Sequence, residues 1–183
     1  MIKATLIVAL VLLFSVAVMA DASTHTAGWK SFLRQQIPIL GHRNWIVIAD
    51  SAYPAQNSSG ITTVETGATQ VEVVQEVMRQ LATAKHVAPI IYLDAELKHL
   101  NDSLAPGVDH YKNDLHRALN GHATQSLLHM DLINKLDESG KTFKVVILKT
   151  NMTLPYTSVF INLDCKYWGP AKEKQLREIM KKH

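Results

Sequence analysis

The chain contains one cysteine, Cys165, among 183 residues. It therefore cannot form an internal disulfide, and stability must come from an apolar core, which a chain of this length can bury. Charge of one sign is also scarce. The formal net charge is +3, and removal of Lys3 with a leader would reduce it to +2, too small a surplus to argue for nucleic acid. No Gly-Xaa-Ser-Xaa-Gly elbow, phosphate-binding loop or dinucleotide glycine fingerprint occurs, which removes the motif-based grounds for a serine hydrolase or a nucleotide enzyme. Internal repeats and low-complexity segments are absent. Long apolar runs are confined to the start, where Ala4 to Val18 is almost wholly apolar between Lys3 and the small residues ending at Ala20. That is the layout of a secretory signal peptide cleaved after Ala20. The run is short for a membrane span and no stop-transfer charges follow. The expectation is an exported protein with a signal peptide over 1–20, a polar leader over 21–28 and one domain over 29–183, with no membrane attachment after cleavage.

What is present is an alternation of short apolar strands with amphipathic helices. Trp29, Phe32 and Leu33 share a helical face that Pro38 closes. Trp45 to Ala49 is a buried strand, and Tyr53 to Gly60 is a loop rich in turn residues. Thr69 with Glu72 reads as a capping box ahead of a helix over 70–85. Val87 to Leu93, Thr142 to Leu148 and Thr157 to Leu163 read as further strands. Asp94 to Leu100 is a short helix or turn, Tyr111 to Leu119 and Ser126 to Leu136 read as helices, and Pro170 opens a terminal helix. This pattern predicts an α/β domain with helices layered on a sheet.

Nine histidines are the obvious reagents. His110, His116, His122 and His129 are six, six and seven residues apart, whereas helical ligands of one metal need spacings of three or four. Residues seven apart lie about 10 Å apart along a helix, so a histidine-rich surface is a better reading than a metal centre. Glu96 and His99 have the i, i+3 spacing, but only once. Cys165 has no local pattern of a nucleophile and reads as a packed thiol. His42 and Asp50 bracket the strand Trp45 to Ala49, so one imidazole and one carboxylate stand at opposite ends of a rigid element. Alone, such a His is more often structural than catalytic, and Asp50 can simply cap the following turn.

Two segments together resemble the D-ribose pyranase and L-fucose mutarotase family. Leu40-Gly41-His42, the apolar strand, Asp50 and Pro54 match the family's Gly-His turn, strand, Asp and Pro-containing loop. Pro155-Tyr156-Thr157-Ser158 before Val159 to Leu163 resembles its Pro-Tyr-Ala-Asn followed by a strand, and Val146 to Thr150 resembles its Val-Ile-Arg-Thr/Ser segment. Ser158 stands where the family has Asn, and the stretch from Leu93 to Gly140 is longer. The resemblance implies a three-layer α/β/α sandwich with a mixed, pyranase-like sheet, and an isomerase that interconverts anomers or ring forms of a free monosaccharide. It implies no metal or organic cofactor, and a homo-oligomer with sites between subunits. It makes His42 the proton donor and Asp50, Tyr156, Thr157 and Ser158 sugar contacts, with His129 and Lys149 beside them. Opening a cyclic hemiacetal means deprotonating the anomeric hydroxyl and protonating the ring oxygen, and an imidazole with an ordinary pKa near 6.5 suits either job. A non-catalytic carbohydrate-binding or scaffolding protein on the same fold is the alternative, and a secreted metal-binding protein is a third. If the signal peptide is cleaved as expected, mass spectrometry of protein from a secreting host will find a chain beginning at Asp21. A mature chain retaining residues 1–20 would contradict it.

Overall fold

In a computed structural model, residues 28–182 are described. The expected signal peptide and all of the leader except Gly28 lie outside them. The first helix, α1 (28–36), leads through a tight turn into β1 (Trp45–Ala49). There follow β2 (Ile61–Glu65), α2 (Gln70–Thr83), β3 (Val87–Asp94), a 3-10 turn (Ala95–His99), α3 (Val108–Leu119), β4 (Thr124–Leu127), α4 (His129–Gly140), β5 (Val145–Lys149), β6 (Val159–Cys165) and α5 (Pro170–Met180).

The six strands form one mixed sheet in the order β2-β5-β1-β6-β3-β4. Only β6 runs against its neighbours, and the other five strands are parallel to one another. Alternation along the central strands divides the core in two. Ile46, Ile48, Val146, Leu148, Val159 and Ile161 face α1, α2 and α3, packing on Trp29, Leu33, Val74, Val77, Leu81 and Leu115. Trp45, Val47, Val145, Ile147 and Phe160 face the other way, against Leu132 and Leu136 of α4. Continuous apolar runs in β1 and β5 are what a strand covered on both faces requires. The expected three-layer α/β/α sandwich with a mixed sheet is therefore the observed architecture.

Local signals account for most boundaries. Thr69 accepts from the Glu72 amide while the Glu72 carboxylate accepts from the Thr69 amide, so the capping box opens α2 as expected. Pro170 occupies the first turn of α5. Two strands were not anticipated. β2 (Ile-Thr-Thr-Val-Glu) and β4 (Thr-Gln-Ser-Leu) are the outermost strands. Neither has a buried residue, so they carry little of the apolar pattern that marks a buried strand. The helix expected from Ser126 is corrected accordingly: Ser126 pairs with Leu93 in β4, and α4 begins at His129.

The end of α4 lies unusually close to β2. A Cβ placed on Gly60 would stand 2.1 Å from the carbonyl oxygen of Gly140 and 2.7 Å from that of Phe143. Ser58 donates to the same Gly140 carbonyl at 2.8 Å. Gly60→Ala should therefore force backbone apart and destabilise the fold by about 1–3 kcal/mol. Urea unfolding will read this as a lower midpoint, and an unchanged midpoint would mean that the contact is not tight.

Candidate functional site

Five parallel strands end at one edge of the sheet, and β6 starts there. In open α/β sheets this edge is the usual place for ligands. Here it gathers side chains from four separate stretches of sequence. Asp50 follows β1, Asp94 ends β3, His129 opens α4, and Tyr156, Thr157 and Ser158 precede β6.

Beneath this edge lies a buried polar brace. The Gln70 side chain, wholly buried in the first turn of α2, donates to the carbonyls of Ile48 (3.0 Å) and Thr157 (2.8 Å). Thr150 Oγ1 donates to Gln70 Oε1 at 2.6 Å, and the Tyr111 hydroxyl donates to the Thr157 carbonyl at 2.6 Å. Burial pushes the Tyr111 phenol well above its ordinary range, so it stays protonated and remains a donor. The Thr157 carbonyl is thus held from two helices, which fixes the loop carrying Tyr156 and Ser158. Tyr156 itself adopts the left-handed region, with φ +56°, where a non-glycine residue is uncommon. Its ring is partly exposed at the surface of this corner.

On top of the brace, Ser158 Oγ donates to Asp50 Oδ2 at 3.4 Å, while Asp50 Oδ1 accepts from the Ala52 amide at 2.8 Å. The rings of His129 and Tyr156 meet edge to face, with centroids 5.6 Å apart. His129 Nδ1 lies 3.0 Å from Asp94 Oδ1. Both carboxylate oxygens of Glu96 lie 3.1 Å from the His129 amide, so Glu96 supplies the acceptor that the N-cap residue, Leu128, lacks. Lys149 ends β5 on this edge, half-buried, in register with Ala49 and Glu65.

Asp94 is the most perturbed acid here. Its side chain is inaccessible to solvent. Burial raises its pKa to about 6, opposed by the His129 hydrogen bond and reinforced by the charges of Glu96 and Asp50. Tyr53, beneath Asp50 on the α4 side, is pushed up to about 12 by burial and by neighbouring Asp137, so it too stays protonated.

His42 is elsewhere. It lies exposed in the turn before β1, where Gly41 donates to Asn44 Oδ1 at 2.6 Å and the Arg43 amide donates to the Leu163 carbonyl at 2.8 Å. Asp50 is at the far end of the same strand, and five strand residues span about 16 Å. The structure therefore brings Asp50, His129, Tyr156 and Ser158 together, turns the Thr157 carbonyl into the brace, leaves Lys149 at the rim, and puts His42 on the opposite edge. The sequence marks Asp94 only as an acid closing an apolar strand and Glu96 only by its i, i+3 spacing to His99, so neither was expected at this corner.

The remaining histidines are dispersed. His110 pairs with Asp114 at 3.2 Å. His116 and His122 line a cavity of about 380 Å³ between α3 and β4, on the other face of the sheet from α4. Among the described residues no three His, Cys, Asp or Glu side chains are grouped so as to hold a metal ion.

No protein-family model matches the chain, and no curated protein matches it. Solved structures do. RbsD of Bacillus subtilis, determined in complex with D-ribose, is 22% identical, with 73% of this chain and 92% of that chain covered and a TM-score of 0.50. A fucose mutarotase of Streptococcus pneumoniae in complex with L-fucose is 16% identical, covering 71% and 89%, with a TM-score of 0.48. FucU of Bifidobacterium longum is 17% identical, covering 73% and 94%, with a TM-score of 0.47. At this identity the likeness to RbsD is one of fold, and a divergent version of that fold fits the chain.

The raised pKa of Asp94 has a definite sign in stability. The folded value, about 6, lies above the ordinary 3.8, so the folded state binds this proton more tightly than the unfolded chain. The stability it contributes is fully present below about pH 4 and is lost as pH rises through about 6. Asp94→Asn lacks this dependence. The urea stability of the unsubstituted protein relative to Asp94→Asn should therefore fall between pH 4 and 7, and a difference independent of pH would contradict the assignment.

Proposed function

We propose that this chain is a monosaccharide mutarotase or pyranase, a divergent relative of the D-ribose pyranase and L-fucose mutarotase family, whose site is completed across a subunit interface. The observation that carries the reading is the meeting of Asp50, His129, Tyr156 and Ser158, from separate segments, at the strand edge of a fold shared with a ribose-bound protein. Carboxylate and hydroxyl groups beside an aromatic ring suit a sugar, which offers hydroxyls to bond and an apolar face to cover.

His42 cannot serve the same corner of its own subunit, because β1 separates it from Asp50. It can serve the corner of a neighbour. Both edges carry exposed apolar residues: Ile39, 72% exposed, near His42, and Leu128 and Met130, 58% and 61% exposed, flanking His129. Contact between the His42 edge of one subunit and the His129 edge of the next is heterologous, and a heterologous contact that closes makes a ring.

In this reading Asp50 and Ser158 hold sugar hydroxyls and Tyr156 borders the ring. His42 from the adjoining subunit gives a proton to the ring oxygen as the bond from that oxygen to the anomeric carbon breaks. Loss of the anomeric hydroxyl proton leaves an open-chain aldehyde, and rotation followed by reclosure, with the protons returned, yields the other anomer or ring size. General acid–base catalysis supplies about 10²- to 10⁴-fold, enough to matter for a reaction that already proceeds in water.

A second reading, sugar binding without turnover, is favoured by Ser158. Its side chain is buried and committed to Asp50, where the resemblance would give an amide. Saturation-transfer NMR on ribose, fucose, galactose and glucose separates the two. The enzyme reading expects accelerated exchange of at least one sugar, lost about 10²-fold or more in His42→Ala. Binding by calorimetry with exchange at the spontaneous rate for all four sugars would support the second reading and overturn the first.

A further inference from the structure

We propose that Asp94 is the positioning residue for His129, fixing the imidazole with its proton on Nδ1 and its Nε2 lone pair free to take the anomeric hydroxyl proton. The inference rests on the mutarotase reading and names its missing base.

The geometry is that of a carboxylate orienting a histidine. Asp94 is buried at the end of β3, its Oδ1 lies 3.0 Å from His129 Nδ1, and its Oδ2 has no hydrogen-bond partner. An ionised carboxylate can only accept, so the Nδ1 contact requires Nδ1–H, and the neutral ring then carries its lone pair on Nε2. The Glu96 carboxylate holds the His129 backbone amide, and the imidazole and the Tyr156 ring meet edge to face. Yet His129 remains 30% exposed while Asp94 is fully enclosed, so one end of the imidazole is anchored inside and the rest reaches the surface of the corner.

A buried carboxylate with one unpaired oxygen is costly by itself. The Nδ1–H of His129 supplies Asp94 Oδ1 with a partner, the contact by which a carboxylate fixes the tautomer and orientation of an imidazole. The step balances. Nε2 takes the proton of the anomeric hydroxyl, and that O–H pair becomes the carbonyl π bond. The bond from the anomeric carbon to the ring oxygen breaks, and its electron pair takes a proton from the His42 imidazolium of the adjoining subunit. Reclosure returns the proton from the new hydroxyl to His42 and the one on His129 to the carbonyl oxygen, restoring both groups.

The charged groups nearest Asp94 are Asp50 after β1, Glu96 in the 3-10 turn and His129 on α4, and Lys98, Lys112, His116 and His122 line with it the cavity between α3 and β4. Tyr111 on α3 and Tyr53 in the loop after β1 lie within reach of its field as neutral phenols. Protonation of Asp94 would replace the acceptor at Nδ1 with a donor and reverse the tautomer.

The test is nitrogen-15 NMR of the histidine rings in the full chain at pH 7.5, with anomer exchange measured on the same samples. The expected result is His129 as the Nδ1–H tautomer in the unsubstituted protein. Asp94→Asn should move it toward Nε2–H and lower the exchange rate about 10- to 100-fold with KM little changed. His129 found as Nε2–H in the unsubstituted protein would overturn the inference whether or not Asp94→Asn folds. So would unaltered exchange in Asp94→Asn. If no sugar is turned over, the mutarotase reading falls, and the tautomer still decides whether Asp94 positions His129.

Discussion

The amide of Gln70 is the fixture on which the site depends. Buried at the start of α2, it ties the end of β1 through Ile48 to the loop before β6 through Thr157, and its own oxygen takes the Thr150 hydroxyl just beyond β5. Three strand ends that belong to distant parts of the sequence are thereby locked in register at one edge. Each buried carbonyl left without its donor would cost about 1–3 kcal/mol, a large share of the stability of a domain this size. The brace fixes the height of Asp50 and Ser158 above the sheet, and with them the strained backbone of Tyr156.

The same edge gathers acidic groups. Asp94 and Glu96 meet the first turn of α4 through the His129 ring and backbone amide, Asp50 accepts from Ser158 and the Ala52 amide, and Lys149 stands at the rim. The positive end of the α4 dipole and the Glu96–His129 amide contact stabilise this grouping. Burial raises Asp94 to the region where protons are exchanged near neutral pH. An acid tuned this way, hydrogen-bonded to a histidine at a strand edge, is the kind of perturbed group that marks a reactive corner.

Much of this was legible in the sequence. The buried strands β1, β3, β5 and β6 announce themselves by apolar runs, and the Thr69–Glu72 capping box marks the first residue of α2. Edge strands β2 and β4 were not legible, because a strand that faces water needs no apolar pattern. Of the candidate site, Asp50, Tyr156, Ser158 and His129 were readable through resemblance to a sugar isomerase family, since that likeness preserves order along the chain. Asp94 and Gln70 were not. Their importance lies in what they touch across 35 and 87 residues of sequence separation, and nothing in the types of the residues next to them shows this. His42 and Asp50 bracket β1 already in the sequence, and the straight strand keeps their side chains apart within one subunit, so that under the proposed function they are two halves of a site shared between subunits.

Those two halves make the central claim measurable. His42→Ala and Asp50→Asn subunits would each destroy every site in a homo-oligomer. Mixed after reversible dissociation, they would reconstitute sites in which intact His42 of one subunit faces intact Asp50 of the other. With random mixing in a heterologous ring, roughly a quarter of the interfaces are restored. Anomer exchange by the mixed oligomer at about a quarter of the unsubstituted rate is the predicted result. A mixture as inactive as its components, at matched assembly, would contradict a site shared between subunits.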